Sequence, residues 1–434
     1  MSPFAERLKK ARKQKNLKQR EVAEHLQMTQ HSYQQYESGV RRPNFETLVA
    51  LAAYLDVTTD YLLGTDQYTP GSAEKSQIRR LTVNLPGREY DILIERGLLA
   101  QAGARIRAVL PRAQKLAVVT DSNVKPLYGD MVLASLAASG FDCRLFPVPA
   151  GEESKNPYQL AALWEGFLDF GLTRTDGVVA LGGGVVGDLA GFAAATVLRG
   201  VAFVQIPTTL LAQVDSSVGG KVAVDLDAGK NLAGAFHQPR LVLMDPDVLD
   251  TLSLPVFMDG MAEVLKYGCI RDREFFDFLA ARPHREALTA DLEHILYTCC
   301  DLKRQVVIED ELDTGARMVL NFGHTLGHAY ELAGQYIQWT HGQAVAAGMC
   351  AAAKLGVALG VTPADAPGRI EDACACLGLP TSIPCTPEEY AAAIGRDKKG
   401  AGADITVILL DEIGRAVPYQ MPKAGLLQQL EALL

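Results

Sequence analysis

Residues 176–192 read DGVVALGGGVVGDLAGF, and this stretch decides how the largest part of the chain folds. An apolar run leads into clustered glycines and then into a second apolar segment, which predicts a buried strand, a tight turn and a helix. Gly182, Gly184 and Gly187 have G-x-G-x-x-G spacing. Glycine lets the backbone approach a pyrophosphate at the free N–H groups of a helix N-terminus, so the turn predicts a dinucleotide site.

The segments around this turn extend the alternation of strands and helices. Strands are predicted at residues 115–121 and 141–151, helices at 129–140 and 158–171, and a hairpin with a Pro-Gly turn at 79–97. Strands that alternate with helices are typical of a parallel sheet covered on both faces. We therefore expect a doubly wound α/β domain.

The turn departs from the usual dinucleotide fingerprint in two respects. It is not the first strand-to-helix turn of the predicted sheet, and no acid lies about 20 residues downstream to bind a ribose. Asp121 instead ends an earlier strand. We expect a dinucleotide bound across a non-standard doubly wound sheet, although a tight packing turn would also explain the glycines.

After residue 249 the strand patterns stop, except for a terminal hairpin at 405–419. The sequence thus predicts an α/β nucleotide-binding domain at residues 79–249 and an α-helical metal- and substrate-binding domain at 250–434. The cleft between two such domains is the expected place for an active site.

Residues 317–343, RMVLNFGHTLGHAYELAGQYIQWTHGQ, contain candidate metal ligands. His324 and His328 lie four residues apart on one predicted helix, His341 follows, and Glu263 lies in the helical segment GMAEVLKYG. Three nitrogen or oxygen ligands with an open position are typical of catalytic zinc. The His pair taken alone would also fit hydrogen-bonded core histidines.

Bulk properties narrow the class of protein. The chain has 434 residues and a net charge of −9, and no apolar run approaches the length of a membrane span. The charged N-terminus does not resemble a secretory signal, and eight cysteines without a CxxC pair indicate reduced thiols. We therefore expect a cytoplasmic protein that does not engage a membrane.

Residues 1–66 form a separate, weakly basic segment. It holds ten Lys and Arg against eight Asp and Glu, and it shows five short helical patterns that must pack together to be stable. Thr29 and Thr58 are predicted helix N-caps, and Gly39 and Gly64 are predicted helix ends. A linker follows at residues 67–78, where Pro, Gly, Ser and charged residues mix without periodicity.

Residues 19–64, from QREVAEHL to TTDYLLG, resemble the Cro/repressor helix-turn-helix family. The resemblance implies an all-α domain whose recognition helix spans residues 29–37 and binds double-stranded DNA. A module that mediates only protein contacts is the alternative. The implied DNA-binding residues are Lys18, Gln30, His31, Ser32, Gln34, Arg41 and Arg42.

The remainder resembles the 3-dehydroquinate synthases, phosphorus–oxygen lyases of the shikimate pathway and thus of aromatic amino acid biosynthesis. The motifs that support this, in order, are TDSNVKPLY, GEESK, GGGVVGDLAGFAAATVLRG, QIPTTLLAQVDSSVGGKVAVDLDAGKN, GMAEVLKYG, RMVLNFGHTLGHAYE and HGQAVAAGM. By this resemblance the metal ligands are Glu263, His324 and His341, which would hold Zn²⁺ or Co²⁺. The implied NAD⁺-binding residues are Asp121, Asn123, Glu152, Lys155, Gly183, Gly184, Asp188, Thr208, Thr209, Lys230 and Thr251.

The resemblance also implies the substrate, 3-deoxy-D-arabino-heptulosonate 7-phosphate, which becomes 3-dehydroquinate and phosphate. Lysine and arginine suit its carboxylate and phosphate. A homodimer is implied, in which Arg199 reaches the partner's site. The residues implied in substrate binding and catalysis are Asp215, Lys221, Lys230, Asn231, Lys266, Lys303, Arg317, Asn321, His328, Arg199 and one of Lys398 and Lys399.

Two positions depart from the family pattern. Pro255–Val256 replaces Arg-Glu ahead of GMAEVLKYG, and Gln343 replaces a glutamate that could orient His341.

Three other functions remain open from the sequence. The alternatives are another sugar-phosphate cyclase of the same fold, a polyol dehydrogenase that releases NADH, and a transcription regulator whose enzyme-like part is a sensor.

Overall fold

The computed structural model describes residues 3–63 and 78–433, apart from residues 16, 27, 40, 42, 56, 58, 283, 336 and 397–401. The chain divides into two compact units, Met1–Gln77 and Ile78–Leu434. Several predictions lie outside the described residues. They concern the linker up to residue 77, the caps at Thr58 and Gly64, and the roles of Arg42, Lys398 and Lys399.

The first unit is helical throughout its described residues, as predicted. Thr29 caps the third helix, where its side chain accepts a hydrogen bond from the Ser32 N–H, and Gly39 ends that helix at φ 78°. The helices are α1 (Pro3–Gln14), α2 (Gln19–His25), α3 (Gln30–Ser38), α4 (Phe45–Leu55) and α5 (Thr59–Leu63).

A buried carboxylate links three of these helices. Glu37 on α3 is 4% exposed, and its oxygens accept hydrogen bonds from Arg12 at 2.6 and 3.1 Å, from Gln19 at 2.7 Å and from Tyr33 at 2.8 Å. Burial alone would raise the pKa of Glu37, but these donors lower it, so the carboxylate is ionised. Tyr33 and Tyr36 pack in the core of this unit.

The second unit contains a twisted sheet whose strands run in the order β1-β2-β9-β6-β5-β3-β4 among the described residues. β1 pairs antiparallel with β2, and the other neighbours pair in parallel. Two further hairpins are formed by β7 with β8 and by β10 with β11. The strands are β1 (Arg79–Val83), β2 (Tyr90–Ile94), β3 (Lys115–Asp121), β4 (Asp142–Val148), β5 (Gly177–Gly182), β6 (Ala202–Pro207), β7 (Lys221–Leu226), β8 (Gly229–Phe236), β9 (Leu241–Met244), β10 (Asp404–Glu412) and β11 (Arg415–Pro422).

Helices cover the sheet and then form the rest of the unit. Alternate residues of β3 face two different cores: Leu116 and Val118 belong to one, and Ala117 and Val119 belong to the other. The sheet is therefore buried on both faces, as a parallel sheet must be. The helices are α6 (Ala102–Val109), α7 (Asp130–Ala138), α8 (Pro157–Asp169), α9 (Gly184–Thr196), α10 (Leu254–Arg271), α11 (Arg273–Ala280), α12 (Arg285–Ala290), α13 (Leu292–Glu309), α14 (His324–Ala333), α15 (His341–Ala358), α16 (Ala366–Cys376), α17 (Pro387–Arg396) and α18 (Lys423–Leu433).

The predicted fold class is confirmed: a helical unit precedes a doubly wound α/β sheet, and a helical region follows. The sequence patterns did not predict β6, β9 and the β7–β8 hairpin. The eight cysteines, all within the described residues, form no disulfide. None of the described helices has the length and apolar character needed to cross a bilayer.

Candidate metal and substrate site

The three predicted metal ligands lie on three different helices and meet at one point. Glu263 is in the middle of α10 and is fully buried, while His324 and His341 are the first residues of α14 and α15. The Nε2 atoms of His324 and His341 lie 3.3 and 3.4 Å from the same Glu263 oxygen, Oε1. One ligand atom from each residue lies within 4.8 Å of the others, which suits a single divalent ion.

Two glycines allow the histidine-bearing helices to approach so closely. Gly323, at φ 79°, precedes His324, and a Cβ there would lie 2.6 Å from Met349 Cγ and 2.8 Å from the Val345 carbonyl oxygen of α15. Gly342 follows His341, and a Cβ there would lie 2.0 Å from the backbone oxygen of Asp259 on α10.

The Asp259 side chain fixes the same junction between α10 and α15. Its Oδ1 accepts hydrogen bonds from the Gly342 N–H at 2.8 Å and from the Thr340 hydroxyl. Asp259 lies one turn before Glu263 on α10. This clamp therefore sets the position of His341 relative to Glu263.

The Glu263 carboxylate is ionised at the metal site. Burial opposes ionisation of Glu263, but the Lys266 ammonium, which contacts Oε2, and His324 hold the pKa of this carboxyl well below its usual range. Both Glu263 oxygens are buried and lack a hydrogen bond of normal geometry from the described residues. Burial also opposes protonation of His341, yet the neighbouring carboxylates of Glu263 and Glu331 raise its pKa to about 10.

A chain of ion pairs leads away from the metal ligands. Lys303 on α13 is 4% exposed and donates to the backbone oxygen of Asp215 at 2.5 Å and to its Oδ1 at 2.8 Å. The Tyr267 hydroxyl donates to the same Oδ1 at 2.7 Å. Burial would raise the pKa of Asp215, but Lys303 and Lys266 lower it, so Asp215 is an anion between two cations.

Arg317 is a buried cation held by backbone oxygens. Its Nη1 donates to the backbone oxygens of Gly219 at 3.3 Å and Glu311 at 2.8 Å, whereas its buried Nε has no hydrogen-bond partner among the described residues. The carboxylate of Asp310 fixes the preceding loop by accepting from the N–H groups of Thr314, Gly315 and Arg317 at 3.0, 2.7 and 3.1 Å. A buried N–H without an acceptor is costly, so the Arg317 Nε suits an anionic ligand.

The two lysines of the β7–β8 hairpin pair with carboxylates of the helical region. Lys221 Nζ lies 2.7 Å from Asp313 Oδ2, and Lys230 Nζ lies 3.7 Å from Glu331 Oε1. Asn231 adopts a left-handed conformation, φ 55°, and its N–H donates to Asp225 at 2.7 Å.

Of the other residues predicted for substrate, His328 is mostly exposed on α14, with Nε2 4.0 Å from Glu331. Asn321 ends the short helical turn Ala316–Asn321. Arg199 lies in a left-handed segment, with φ 51° at Leu198 and 68° at Arg199.

Several of the predicted cofactor residues lie at the carboxyl ends of parallel strands, where open α/β sheets bind ligands. Gly183 is the N-cap of α9, directly after β5, and Gly184 begins that helix. Asp121 ends β3 and accepts from the Asn123 N–H at 2.8 Å. Thr208 and Thr209 follow β6, and the buried Thr208 hydroxyl has no hydrogen-bond partner among the described residues.

A buried lysine organises the acids beside this turn. Lys155 Nζ lies 3.1 Å from both Asp188 and Glu152 and 3.9 Å from Asp225. Burial raises the pKa of Asp188 to about 6 despite Lys155. Farther along, Thr251 shares a 2.8 Å hydrogen bond with the Tyr128 hydroxyl.

The sequence patterns did not single out several residues that contact the predicted ones. These are Asp225, Asp259, Tyr267, Asp313 and Glu331. Glu331 lies three residues after His328 and seven after His324, which places all three on one face of a helix. This spacing is the sequence feature from which a role for Glu331 near the histidines could have been predicted. Gln343 serves a different purpose from that expected of a glutamate there, because it caps α15 together with Thr340.

Comparison with known proteins assigns the two units to families. Residues 145–259 match the model of the 3-dehydroquinate synthase N-terminal domain, residues 260–400 match that of its C-terminal domain, and residues 8–62 match a helix-turn-helix model. The 3-dehydroquinate synthase of Clostridium botulinum is 46% identical over 340 residues, which are 78% of this chain and 97% of that protein. The chain belongs to the 3-dehydroquinate synthase family. The 3-dehydroquinate synthase of Clostridium beijerinckii is 48% identical over 77% of this chain and 96% of its own length. That of Streptococcus suis is 45% identical over 81% of this chain and 99% of its own length.

Solved structures of related cyclases share the fold of the second unit. A 2-deoxy-scyllo-inosose synthase in complex with carbaglucose-6-phosphate, NAD⁺ and Co²⁺ is 25% identical, with a TM-score of 0.73 over 82% of this chain and all of the other. A 2-epi-5-epi-valiolone synthase from Streptomyces hygroscopicus with NAD⁺ and Zn²⁺ bound is 28% identical, with a TM-score of 0.71 over 79% of this chain and 95% of the other. A 1,3-propanediol oxidoreductase, at 14% identity and a TM-score of 0.60, shares the fold alone.

Proposed function

We propose that this 3-dehydroquinate synthase acts at the junction of α10, α14 and α15, with NAD⁺ and one divalent cation. The observation on which this rests is the convergence of Glu263, His324 and His341, with Glu263 Oε1 within 3.4 Å of both imidazoles. The substrate is 3-deoxy-D-arabino-heptulosonate 7-phosphate, and the products are 3-dehydroquinate and phosphate.

The residues present fit both cofactors. A buried carboxylate without normal hydrogen bonds, next to two imidazole nitrogens, is a suitable donor set for Zn²⁺ or Co²⁺. The glycine turn after β5 leaves α9 N–H groups open to a pyrophosphate. When bound, NAD⁺ supplies reversible hydride transfer and the cation supplies Lewis acidity toward hydroxyl oxygens.

The chain's own residues position the substrate and stabilise its charges. Lys221, Lys303 and Arg317 are the cations available to the carboxylate and phosphate of the substrate, and each is held by a carboxylate or a backbone oxygen. Lys303 and Arg317 are buried, and fixed cations in a buried site need little reorganisation as charge develops. His328, exposed at the edge of the site, is suited to bind an anion or to relay a proton.

Removal and return of the metal tests this assignment. Dialysis against a chelator should abolish turnover, and Zn²⁺ or Co²⁺ should restore it. Glu263→Gln should not be rescued at the same metal concentration, because it weakens a buried ligand. Full activity of the metal-free protein would contradict the assignment.

We further propose that residues 1–66 bind double-stranded DNA. Gln30, His31 and Gln34 are exposed on α3, and Ser32 is partly exposed, while Tyr33, Tyr36 and Glu37 of the same helix are buried. Lys18 and Arg41 are exposed near the ends of α2 and α3 and suit phosphate contacts. A helix with one packed face and one exposed amide-rich face is what reading of adenine in the major groove requires.

The active form is proposed to be a cytoplasmic homodimer. The β7–β8 hairpin exposes Leu226, Leu232 and Phe236 at 41%, 38% and 43%, which is apolar surface that a second copy could cover. Sedimentation of the purified protein should give twice the mass of one chain. A pure sensor function is disfavoured, because ligands and cations suited to turnover are all present.

A further inference from the structure

Glu331 is a buried carboxylate that belongs to none of the roles assigned above. It lies in the last turn of α14 and is 4% exposed. Its Oε1 lies 3.5 Å from His341 Nδ1 and 3.7 Å from Lys230 Nζ, and its Oε2 lies 4.0 Å from His328 Nε2. Three functional candidates on three different elements therefore surround one carboxylate.

His341 has two ring nitrogens, and each faces a different carboxylate. Nε2 faces Glu263 Oε1 at 3.4 Å, and Nδ1 faces Glu331 Oε1 at 3.5 Å. A metal-binding histidine presents a lone pair on one nitrogen and donates the N–H of the other to a carboxylate or carbonyl, which fixes its tautomer and ring orientation. His324 meets this need with the backbone oxygen of Phe322, 3.2 Å from its Nδ1.

Gln343, the residue expected from the family pattern to orient His341, is engaged elsewhere. Its Oε1 accepts from the Thr340 N–H at 3.1 Å, and its own N–H donates to the Thr340 hydroxyl at 3.4 Å. This reciprocal arrangement is a capping box, which glutamine and glutamate satisfy equally well. Although Gln343 lacks the charge of a glutamate, His341 Nδ1 still faces a carboxylate, that of Glu331.

We propose that Glu331 is the positioning residue of the metal site: it orients His341 through Nδ1 and, with the same carboxylate oxygen, holds Lys230. This inference rests on the proposed function of Glu263, His324 and His341. Lys230 lies on β8, next to the left-handed Asn231, so Glu331 couples the α14–α15 pair to the cofactor-side hairpin. Metal binding and Lys230 placement are then parts of one arrangement.

The test compares Glu331→Gln with Gln343→Glu in the full-length protein. Zn²⁺ affinity is measured by competition with a chromophoric chelator, and turnover is measured separately on the metal-saturated enzyme. Glu331→Gln should weaken Zn²⁺ binding about 10- to 100-fold. Gln343→Glu, which keeps the capping box, should stay within about twofold of the unchanged protein. The metal-saturated Glu331→Gln enzyme should still have an altered KM for NAD⁺, because Lys230 no longer faces the Glu331 charge.

Circular dichroism of both metal-free variants checks the fold. If Glu331→Gln does not fold, Glu331→Asp replaces it, since this variant keeps the charge but withdraws it from Nδ1 and should weaken Zn²⁺ binding by a smaller factor. Unchanged Zn²⁺ affinity in the folded Glu331 variant, or a gain confined to Gln343→Glu, would overturn the inference. Failure of the unchanged protein to turn over would instead contradict the proposed function, while the affinity comparison would still stand.

Discussion

Arg317 and Lys221 are two of the cations proposed to bind the substrate, and their surroundings differ. Arg317 is 2% exposed and rigidly held, whereas the Lys221 side chain is 49% exposed and pairs with Asp313. Each is expected to make a charge-assisted hydrogen bond to a substrate anion. Such a bond contributes on the order of 1.5–3 kcal/mol to the binding free energy.

Arg317→Ala and Lys221→Ala should therefore each lower kcat/KM by about 10- to 100-fold or more. Lys354→Ala is the matched control, because Lys354 on α15 pairs with Glu371 on α16 at the surface and has no proposed role in substrate binding. Steady-state kinetics on metal-saturated protein measures the effect. Near-normal kcat/KM in both variants, with the same value in the control, would mean that the cations have been misassigned.

Asp310 provides a pH-dependent prediction, because backbone N–H groups, chiefly that of Thr314, lower its pKa to about 2. A carboxyl with a lowered pKa in the folded state stabilises that state above its unfolded pKa, near 4. Its contribution is lost as the pH falls from about 4 toward 2. Because Asp310 is partly exposed, solvent screening keeps the effect small.

Asp310→Asn should therefore lower the thermal midpoint by about one degree at pH 7, and the difference from the unchanged protein should narrow below about pH 4. Thermal unfolding followed by circular dichroism measures this difference. A difference that stays constant down to pH 3, or widens there, would show that the Asp310 charge does not hold the loop before Arg317.

Glycines allow α10, α14 and α15 to approach one another closely at the metal site. Replacement of Gly342 tests whether this close approach is needed for metal binding. A Cβ at this position would lie 2.0 Å from the Asp259 oxygen, so Gly342→Ala must push α15 away from α10 and move His341 from Glu263. We expect at least about a tenfold loss of Zn²⁺ affinity, comparable to the loss of a ligand's supporting contact.

Gly368→Ala on α16 is the control, because nothing lies within 4 Å of a Cβ there. Alanine favours a helix over glycine, so this variant should be at least as stable as the unchanged protein. Zn²⁺ titration of both variants gives the answer. Equal affinity in Gly342→Ala and Gly368→Ala would exclude close helix approach as the determinant of the site.

Sequence patterns predicted the elements whose signal is local. Residues 115–121 and 176–192 are apolar runs next to glycine or helical patterns, and both folded as expected. β9 was missed because Leu241–Met244 is only four residues long, without alternation. The contact of Glu331 with His341 depends on how α14 and α15 pack against each other. The spacing of residues within one helix does not predict such a contact.

The chain joins an enzyme unit to a helix-turn-helix unit, and the DNA binding proposed for the helix-turn-helix unit can be tested separately. DNA affinity should fall steeply with salt, because Lys18 and Arg41 release counterions from phosphates. If the enzyme is a dimer, two α3 helices should read half-sites about one helical turn, or a multiple of it, apart.

Gln30→Ala and Gln34→Ala should reduce sequence preference more than non-specific affinity. Gln428→Ala, on an exposed position of α18, should change neither. Fluorescence anisotropy with specific and scrambled duplexes at several salt concentrations measures both quantities. Absence of DNA binding by the full-length protein at low salt, together with capture of a protein partner by residues 1–66, would contradict this role.

The decisive measurement is the stoichiometry of one reaction. The purified, Zn²⁺-loaded protein is incubated with 3-deoxy-D-arabino-heptulosonate 7-phosphate and NAD⁺, and phosphate, 3-dehydroquinate and absorbance at ~340 nm are followed together. We predict equal amounts of phosphate and 3-dehydroquinate, with many turnovers per NAD⁺ and no accumulation of NADH. NADH that accumulates in proportion to product, or substrate that persists with both cofactors present, would contradict a dehydroquinate synthase at Glu263, His324 and His341.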